Sequence, residues 1–186
     1  MPVALLIAAL VQAEAAPVCG LSDADRAVYM TQSYDLFDQT HGVGWRELGE
    51  TGECHALAGD LIADYLLYSH TSLEAYNVRV LRFHAGQMFA FAGETGRALA
   101  FFQASYGEPY EAGNRLDWNS YVDATIAFLQ QDRTALEAAR GRLLEQPAFE
   151  NGAIPNLNVA DGFLACYDQG YRTAYSSECM SDGQAH

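Results

Sequence analysis

The hydrophobic residues of this chain recur mostly at intervals of three and four positions, the spacing that places side chains on one face of an α-helix. The pattern is clearest in residues 81–106, where two such stretches flank the turn 93–96. Residues 77–83 instead alternate between apolar and polar positions, as in a β-strand. We interpret them as helical, because the neighbouring segments are helical and a single strand would have no partner. The pattern therefore predicts an all-α protein.

Short polar side chains mark the beginnings of several predicted helices. Ser22, Ser72 and Asp117 each precede an apolar stretch and can accept a hydrogen bond from the first turn of a helix. Pro109 and Pro147 follow two other stretches, where a helix is expected to stop. The predicted helices span residues 23–40, 53–68, 73–92, 95–106, 117–130, 134–146 and 158–167. No composition break interrupts them, so residues 17–186 are predicted to form a single domain.

Three turn regions of the chain resemble one another. Residues 52–58, 93–100 and 131–136 can be superimposed, and each places an alanine shortly after the turn. These alanines lie about 40 residues apart, which is within the range of helical-hairpin repeats. A small residue at this position allows the second helix of a pair to approach the first closely. The matching positions are Ala56, Ala98 and Ala135.

The middle copy resembles the tetratricopeptide repeat (TPR) family, and the likeness extends over residues 45–146. Its small, aromatic, turn-glycine, alanine, aromatic and proline positions are matched, to within one residue, by Gly86, Phe89, Gly93, Ala98, Phe102 and Pro109. The chain departs from the family where Ser105 replaces a second alanine, where Arg82 stands at a common tryptophan position, and where the third copy lacks the turn glycine. The resemblance implies a right-handed stack of about three antiparallel helix pairs whose concave face binds peptides or proteins, and it does not imply an enzyme.

The charge of the chain limits its partners. Twenty-four acids against ten bases, all of them arginine, give a formal net charge of −14. Nucleic-acid backbones and anionic membrane surfaces are bound by basic patches, so neither is an expected partner. The sequence also lacks a glycine-rich phosphate loop and a His-Glu-x-x-His motif, and no cofactor is predicted.

The first 16 residues are predicted to be a secretory signal peptide. Residues 3–11 form an uninterrupted apolar run, and Ala13 and Ala15 supply small residues at the two positions that a signal peptidase reads. The run is too short to span a bilayer. We therefore expect a secreted or periplasmic protein with no membrane insertion after cleavage.

Four cysteines, Cys19, Cys54, Cys166 and Cys179, remain after the predicted cleavage site. An even number in an exported protein favours disulfides, and four cysteines allow three pairings. We prefer Cys19–Cys54 and Cys166–Cys179, which would attach the N-terminal arm and close a short C-terminal loop. A zinc site is a weaker alternative, because the chain has no Cys-x-x-Cys motif.

A catalytic alternative depends on Cys54, which begins a predicted helix, where a thiol pKa is lowered. The segment Gly52–Ala58 is similar to the nucleophile region of transglutaminase-like and papain-like hydrolases, in which a downstream histidine, here His84, would activate the thiolate. A metal site at His55, Asp60 and His70 is disfavoured by their spacing. The carboxylate pairs Asp35/Asp38 and Asp60/Asp64 are expected to be solvated.

The favoured hypothesis is a non-catalytic, exported module that binds a protein or peptide in a groove between its first helices. A structural role in an envelope complex is a further alternative. Aromatic side chains would supply the apolar contacts and polar neighbours the hydrogen bonds. The predicted binding residues are Arg79, Arg82, Phe83, Gln87, Trp118, Asn119, Tyr121 and Asp123.

Overall fold

The computed structural model describes residues 19–51, 54–69, 72–111 and 116–180, and all regular structure within them is helical. The all-α prediction is therefore confirmed. The predicted signal peptide, the turn residues Gly52 and Glu53, and His70 lie outside the described residues. The helices are α1 (Asp23–Met30), α2 (His55–Ser69), α3 (Ala75–Phe91), α4 (Thr95–Gln103), α5 (Trp118–Leu129), α6 (Arg133–Leu143), α7 (Leu157–Ala165) and α8 (Tyr171–Ala174), with π-helical segments at Asp35–Gln39 and Glu47–Thr51.

The first helix is shorter than its sequence pattern suggested. Ser22 caps α1 as predicted, because its hydroxyl accepts a hydrogen bond from the Asp25 amide at 3.1 Å. The helix ends at Met30 and does not continue to residue 40. A tertiary contact competes with it there, since the Tyr65 hydroxyl donates to the carbonyl oxygen of Gln32 at 2.8 Å. The chain then resumes as the π-helical segment Asp35–Gln39.

The two best-formed repeats share the same turn geometry. α3 and α4 are joined through Gly93 at φ 79°, and α5 and α6 through Gln131 at φ 58°. The next amide in each turn donates to a carbonyl five residues earlier: Glu94 to Phe89 and Asp132 to Ala127, at 2.8 and 2.9 Å. The left-handed conformation that glycine adopts readily is thus taken up by Gln131 in the copy that lacks glycine.

The remaining cap and repeat predictions have mixed outcomes. Asp117 caps α5, accepting from the Ser120 amide at 3.0 Å, as predicted. Ser72 does not cap α3; its hydroxyl donates to the carbonyl of Ser69, and Glu74 occupies the cap position. The first copy lacks a regular first helix, because Leu48 lies in the short π-helical segment Glu47–Thr51 and Trp45 just before it.

Successive helices pack against one another from α2 to α7, and α8 returns to contact α3 and α7. A close helix contact depends on Gly86, since a β-carbon there would lie 2.8 Å from the Phe102 ring of α4. The core is rich in aromatic side chains; Tyr171 of α8, for example, packs against Phe91, Phe128 and Phe163. In the described residues, no helix is long and apolar enough to cross a membrane.

Both predicted disulfides are present, Cys19–Cys54 and Cys166–Cys179. The first attaches the N-terminal arm to the start of α2, and the second holds α8 within a closed segment. Cross-links over sequence separations of 35 and 13 residues restrict the unfolded chain by about 4 and 3 kcal/mol respectively. The second disulfide therefore matters for the site as well as for stability, because α8 lies beside the clefts described next.

Candidate binding groove along α3

Three adjoining clefts follow one face of α3. The first, which we call the α8 cleft, has a volume of about 540 Å³ and lies between α3, α8, the start of α2 and the π-helical segment Glu47–Thr51. The middle cleft, of about 300 Å³, shares Arg46, His84, Gln87 and Tyr175 with it. The Trp118 cleft, of about 330 Å³, shares Tyr76 and Trp118 with the middle cleft. Because neighbouring clefts share side chains, together they form one groove.

The groove lies on the face that sequence reasoning assigned to binding, but the predicted residues divide into two sets. Five of them line it: Arg79, Phe83, Gln87, Trp118 and Tyr121. Phe83 and Tyr121 are only 2% and 5% exposed, so they form its floor and offer little surface to a ligand. The Tyr121 hydroxyl lies 3.0 Å from that of Tyr175, and burial raises the pKa of Tyr121 well above its ordinary value.

The other three predicted residues contact the protein itself and do not line these clefts. Arg82 donates a hydrogen bond to the carbonyl of Ala104 at 2.9 Å. Asn119 bonds to both the amide and the carbonyl of Gly107, at 2.9 and 3.1 Å. Asp123 accepts from the Tyr106 hydroxyl and from Arg142, each at 2.5 Å. These side chains hold the connection after α4 and the α5–α6 pair in place.

A buried carboxylate, Asp38, lies behind the groove wall and contacts side chains that line the clefts. Its side chain is completely excluded from solvent and accepts a hydrogen bond from the His84 Nδ1 at 2.7 Å. The Trp45 indole N–H donates to the same oxygen at 2.8 Å, and the Gln39 amide donates to the other oxygen at 2.6 Å. The expectation that Asp38 would be solvated is therefore wrong.

The protonation of Asp38 follows from these contacts. Burial by itself raises the pKa of Asp38, but hydrogen bonds from His84 and Trp45 and the nearby positive charges of His84 and Arg46 outweigh burial and lower it overall. Asp38 is consequently a carboxylate at neutral pH, and the proton shared with His84 lies on Nδ1. The other ring nitrogen, Nε2, has no hydrogen-bond partner within the described part of the chain, and His84 lines two of the clefts. Nε2 can therefore form a hydrogen bond with a ligand.

Arg46 connects this pair to the mouth of the α8 cleft. Its Nε donates to the backbone carbonyl of Asp38 at 2.6 Å, and its terminal nitrogen forms an ion pair with Glu50. The guanidinium also stacks over the Trp45 ring, 4.3 Å from its centroid. Arg46 therefore has several protein partners and contributes mainly to the order of this wall.

His55 and Arg172 meet at the far end of the α8 cleft, where an Arg172 nitrogen lies 3.0 Å from His55 Nδ1. Because a guanidinium can only donate, His55 must accept through Nδ1 and carry its proton on Nε2. Arg172 is in α8, so the Cys166–Cys179 disulfide holds this part of the groove close to α2 and α3.

Arg79 at the opposite end has different surroundings. Its guanidinium lies 5.1 Å from the Tyr76 ring centroid and 5.3 Å from that of Trp118, and it packs against Gly107. Its Nε is buried without a hydrogen-bond partner, and no ion pair to Arg79 forms among the described residues. The aromatic rings position the cation, and no hydrogen bond from its N–H groups is found in the part of the chain that the structure describes.

The groove has few acids compared with the chain as a whole. Of the 21 acids in the described residues, two line the clefts, Glu50 and Glu108. Three of the nine described arginines line them, namely Arg46, Arg79 and Arg172. The groove is therefore locally more positive than the strongly acidic molecule around it.

The cysteine-hydrolase alternative is not supported by this geometry. The Cys54 sulfur is bonded to Cys19, and the described residues include no free cysteine. His84, the proposed activating base, pairs with Asp38. No group of three or more His, Cys, Asp or Glu side chains suited to a metal ion is found in the described ranges, and Asp60 pairs with Arg97.

Asp38, His84 as its partner, Arg46, Arg172 and Tyr175 were not among the predicted binding residues. Asp38 gives no local signal, because its partner is 46 residues away in sequence. The helical period of α3 could have indicated His84, since residues 76, 80, 84 and 87 follow it along one face.

No protein-family model matches this chain, and no significant match is found among curated proteins or solved structures. The TPR resemblance of residues 45–146 accordingly stays a prediction.

Proposed function

We propose that this chain is an exported, TPR-like helical module that binds an extended peptide segment of a partner protein in the groove along α3. The observation that carries the proposal is the continuity of the three clefts, which share side chains from one end of the helix face to the other. A site for a compact small molecule would need only one of them.

The dimensions suit a short peptide. From Tyr76 to Phe91 the groove follows 15 residue steps of α3, or about 22 Å at 1.5 Å per residue. An extended chain rises about 3.3 Å per residue, so about six or seven peptide residues would cover this length. The floor of aromatic rings supplies apolar contact, and His84 Nε2 is available for a hydrogen bond with the peptide.

Aromatic side chains that remain exposed in the groove are the expected anchors. Tyr76 is 54% exposed, lines two of the clefts and lies beside Trp118. Truncation of such an anchor costs about 1.4–2 kcal/mol of binding, which corresponds to a tenfold to thirtyfold weaker affinity.

The test is selection from a random heptapeptide display library on the purified, oxidised chain, followed by titration of a synthetic selected peptide. We expect Tyr76→Ala to weaken binding by at least about tenfold. The matched control is Tyr68→Ala, since Tyr68 is 67% exposed on α2 and lines none of the clefts. Failure to select any peptide, or equal effects of the two substitutions, would contradict the proposal.

A further inference from the structure

We infer that the Trp118 cleft is a subsite for a carboxylate, so that the peptide bound in the groove carries an aspartate or glutamate opposite Arg79. This inference rests on the proposed function and names the chemistry that one end of the groove recognises.

Nearly every other arginine in the described residues has a polar protein partner. Six of them, Arg26, Arg46, Arg97, Arg133, Arg140 and Arg142, form ion pairs with acids. Arg82 donates to a backbone carbonyl and Arg172 to a histidine. Arg79 differs, because the contacts found for it in the described ranges are two aromatic rings and the backbone of Gly107.

The position of Arg79 makes this lack of a partner costly. Its Nε is fully buried and makes no hydrogen bond, and a buried donor of a charged group is normally satisfied. Glu108 lines the same cleft but forms no ion pair with Arg79. A carboxylate in the Trp118 cleft would supply an acceptor to the part of the guanidinium that lines it.

The surroundings favour a planar anion. The Tyr76 and Trp118 rings flank the guanidinium at 5.1 and 5.3 Å, and a guanidinium that lines a cleft can donate two parallel hydrogen bonds to a carboxylate. Apolar groups of Pro109 and Leu116 also line the cleft and lower its polarity, which strengthens an ion pair once water is displaced. The rest of the molecule is strongly acidic, and Glu108 is the one acid among the described residues that lines this cleft.

The experiment uses the same library, displayed with its C-termini fused so that carboxylates come from Asp and Glu alone. Selection on the unmodified protein is expected to enrich an acidic residue at one position. Selection on Arg79→Gln is expected to lose that enrichment, and selection on Arg82→Gln to retain it. Arg82 is three residues away on α3 and faces out of the groove, so it controls for the loss of one positive charge.

A synthetic selected peptide then gives the magnitude. Replacing the acidic residue of the peptide with its amide is expected to weaken binding to the unmodified protein about tenfold. The same replacement should hardly change binding to Arg79→Gln, because that variant has already lost the ion pair between Arg79 and the acidic residue. A free and an amidated C-terminus are compared, since a terminal carboxylate offers the same chemistry. A stronger dependence on the terminus than on the side chain would overturn the assignment to an acidic residue.

The two proposals fail differently. Peptides that bind without an enriched acid, or that bind Arg79→Gln as tightly as the unmodified protein, would overturn the carboxylate subsite and leave the groove function standing. A library that yields no binder would overturn both. Unchanged helical circular dichroism of Arg79→Gln shows that any loss of binding is not a loss of fold.

Discussion

Asp38, behind the groove wall, and Arg79, in the Trp118 cleft, are charged side chains of opposite sign, and they differ in how the protein satisfies them. Asp38 is completely buried and accepts hydrogen bonds from three side chains, those of His84, Trp45 and Gln39. Arg79 is partly exposed, is held by two aromatic rings and has a buried Nε without an acceptor.

The comparison separates a structural charge from one available to a ligand. A buried charge that is fully hydrogen-bonded orients its neighbours, and removing it leaves those neighbours unsatisfied. A charge that is held in place with unused hydrogen-bond donors destabilises the free protein slightly, because part of its hydration is lost. A ligand that accepts those hydrogen bonds can compensate for this loss. We therefore expect substitution of Asp38 to lower stability and substitution of Arg79 to weaken binding.

The largest expected effect is the loss of Asp38. Asp38→Ala removes the acceptor of three donors in a buried site, and we expect the free energy of unfolding to fall by about 4 kcal/mol. The measurement is urea denaturation followed by circular dichroism. Asp35→Ala is the matched control, since Asp35 lies on the same π-helical segment but is exposed, and its loss should change stability by less than about 0.5 kcal/mol. Equal effects of the two substitutions would show that the network around Asp38 contributes little.

A smaller effect is expected from acid. The pKa of Asp38 is lowered in the folded protein below its ordinary value of 3.8, so folding favours the ionised form. The stabilisation is present above about pH 4 and is lost as the pH falls through the folded pKa. We expect the difference in unfolding free energy between the unmodified protein and Asp38→Asn to shrink below pH 4, by at most about 1.4 kcal/mol per pH unit. A difference that stays constant from pH 6 to pH 2 would contradict an ionised Asp38.

The contrast between these residues also shows what the sequence could predict. The α3–α4 and α5–α6 pairs were predictable, because apolar periodicity and the cap at Asp117 are local signals. The disulfide pairing was predicted as the preferred one of the three pairings that four cysteines allow. Arg79, Trp118 and Gln87 were assigned to the groove because they lie on the first helices of the predicted pairs.

The Asp38–His84 contact was beyond this reasoning for a physical reason. Asp38 belongs to a π-helical segment, for which the α-helical period gives no guide to the inward face. It was assigned to the surface because a pair of aspartates three residues apart is usually solvated. Its burial depends on donors from Trp45 and His84, which only the folded chain brings together.

The smallest expected change in stability, and the sharpest test of the Arg79 side of the comparison, comes from Gly107. The Arg79 guanidinium packs directly against Gly107, so the β-carbon of Gly107→Ala would displace it while leaving the charge in place. The guanidinium is the flexible end of a long side chain, and we expect the free energy of unfolding to change by less than about 0.5 kcal/mol. Affinity for an acidic selected peptide should nevertheless fall by about as much as in Arg79→Gln, because the pairing depends on where the rings hold the cation. Gly96→Ala, at an exposed position where a β-carbon meets no neighbouring atom within 4 Å, is the control. If Gly107→Ala binds the peptide normally while Arg79→Gln does not, the charge alone matters, and the stacked geometry between Tyr76 and Trp118 does not select the ligand.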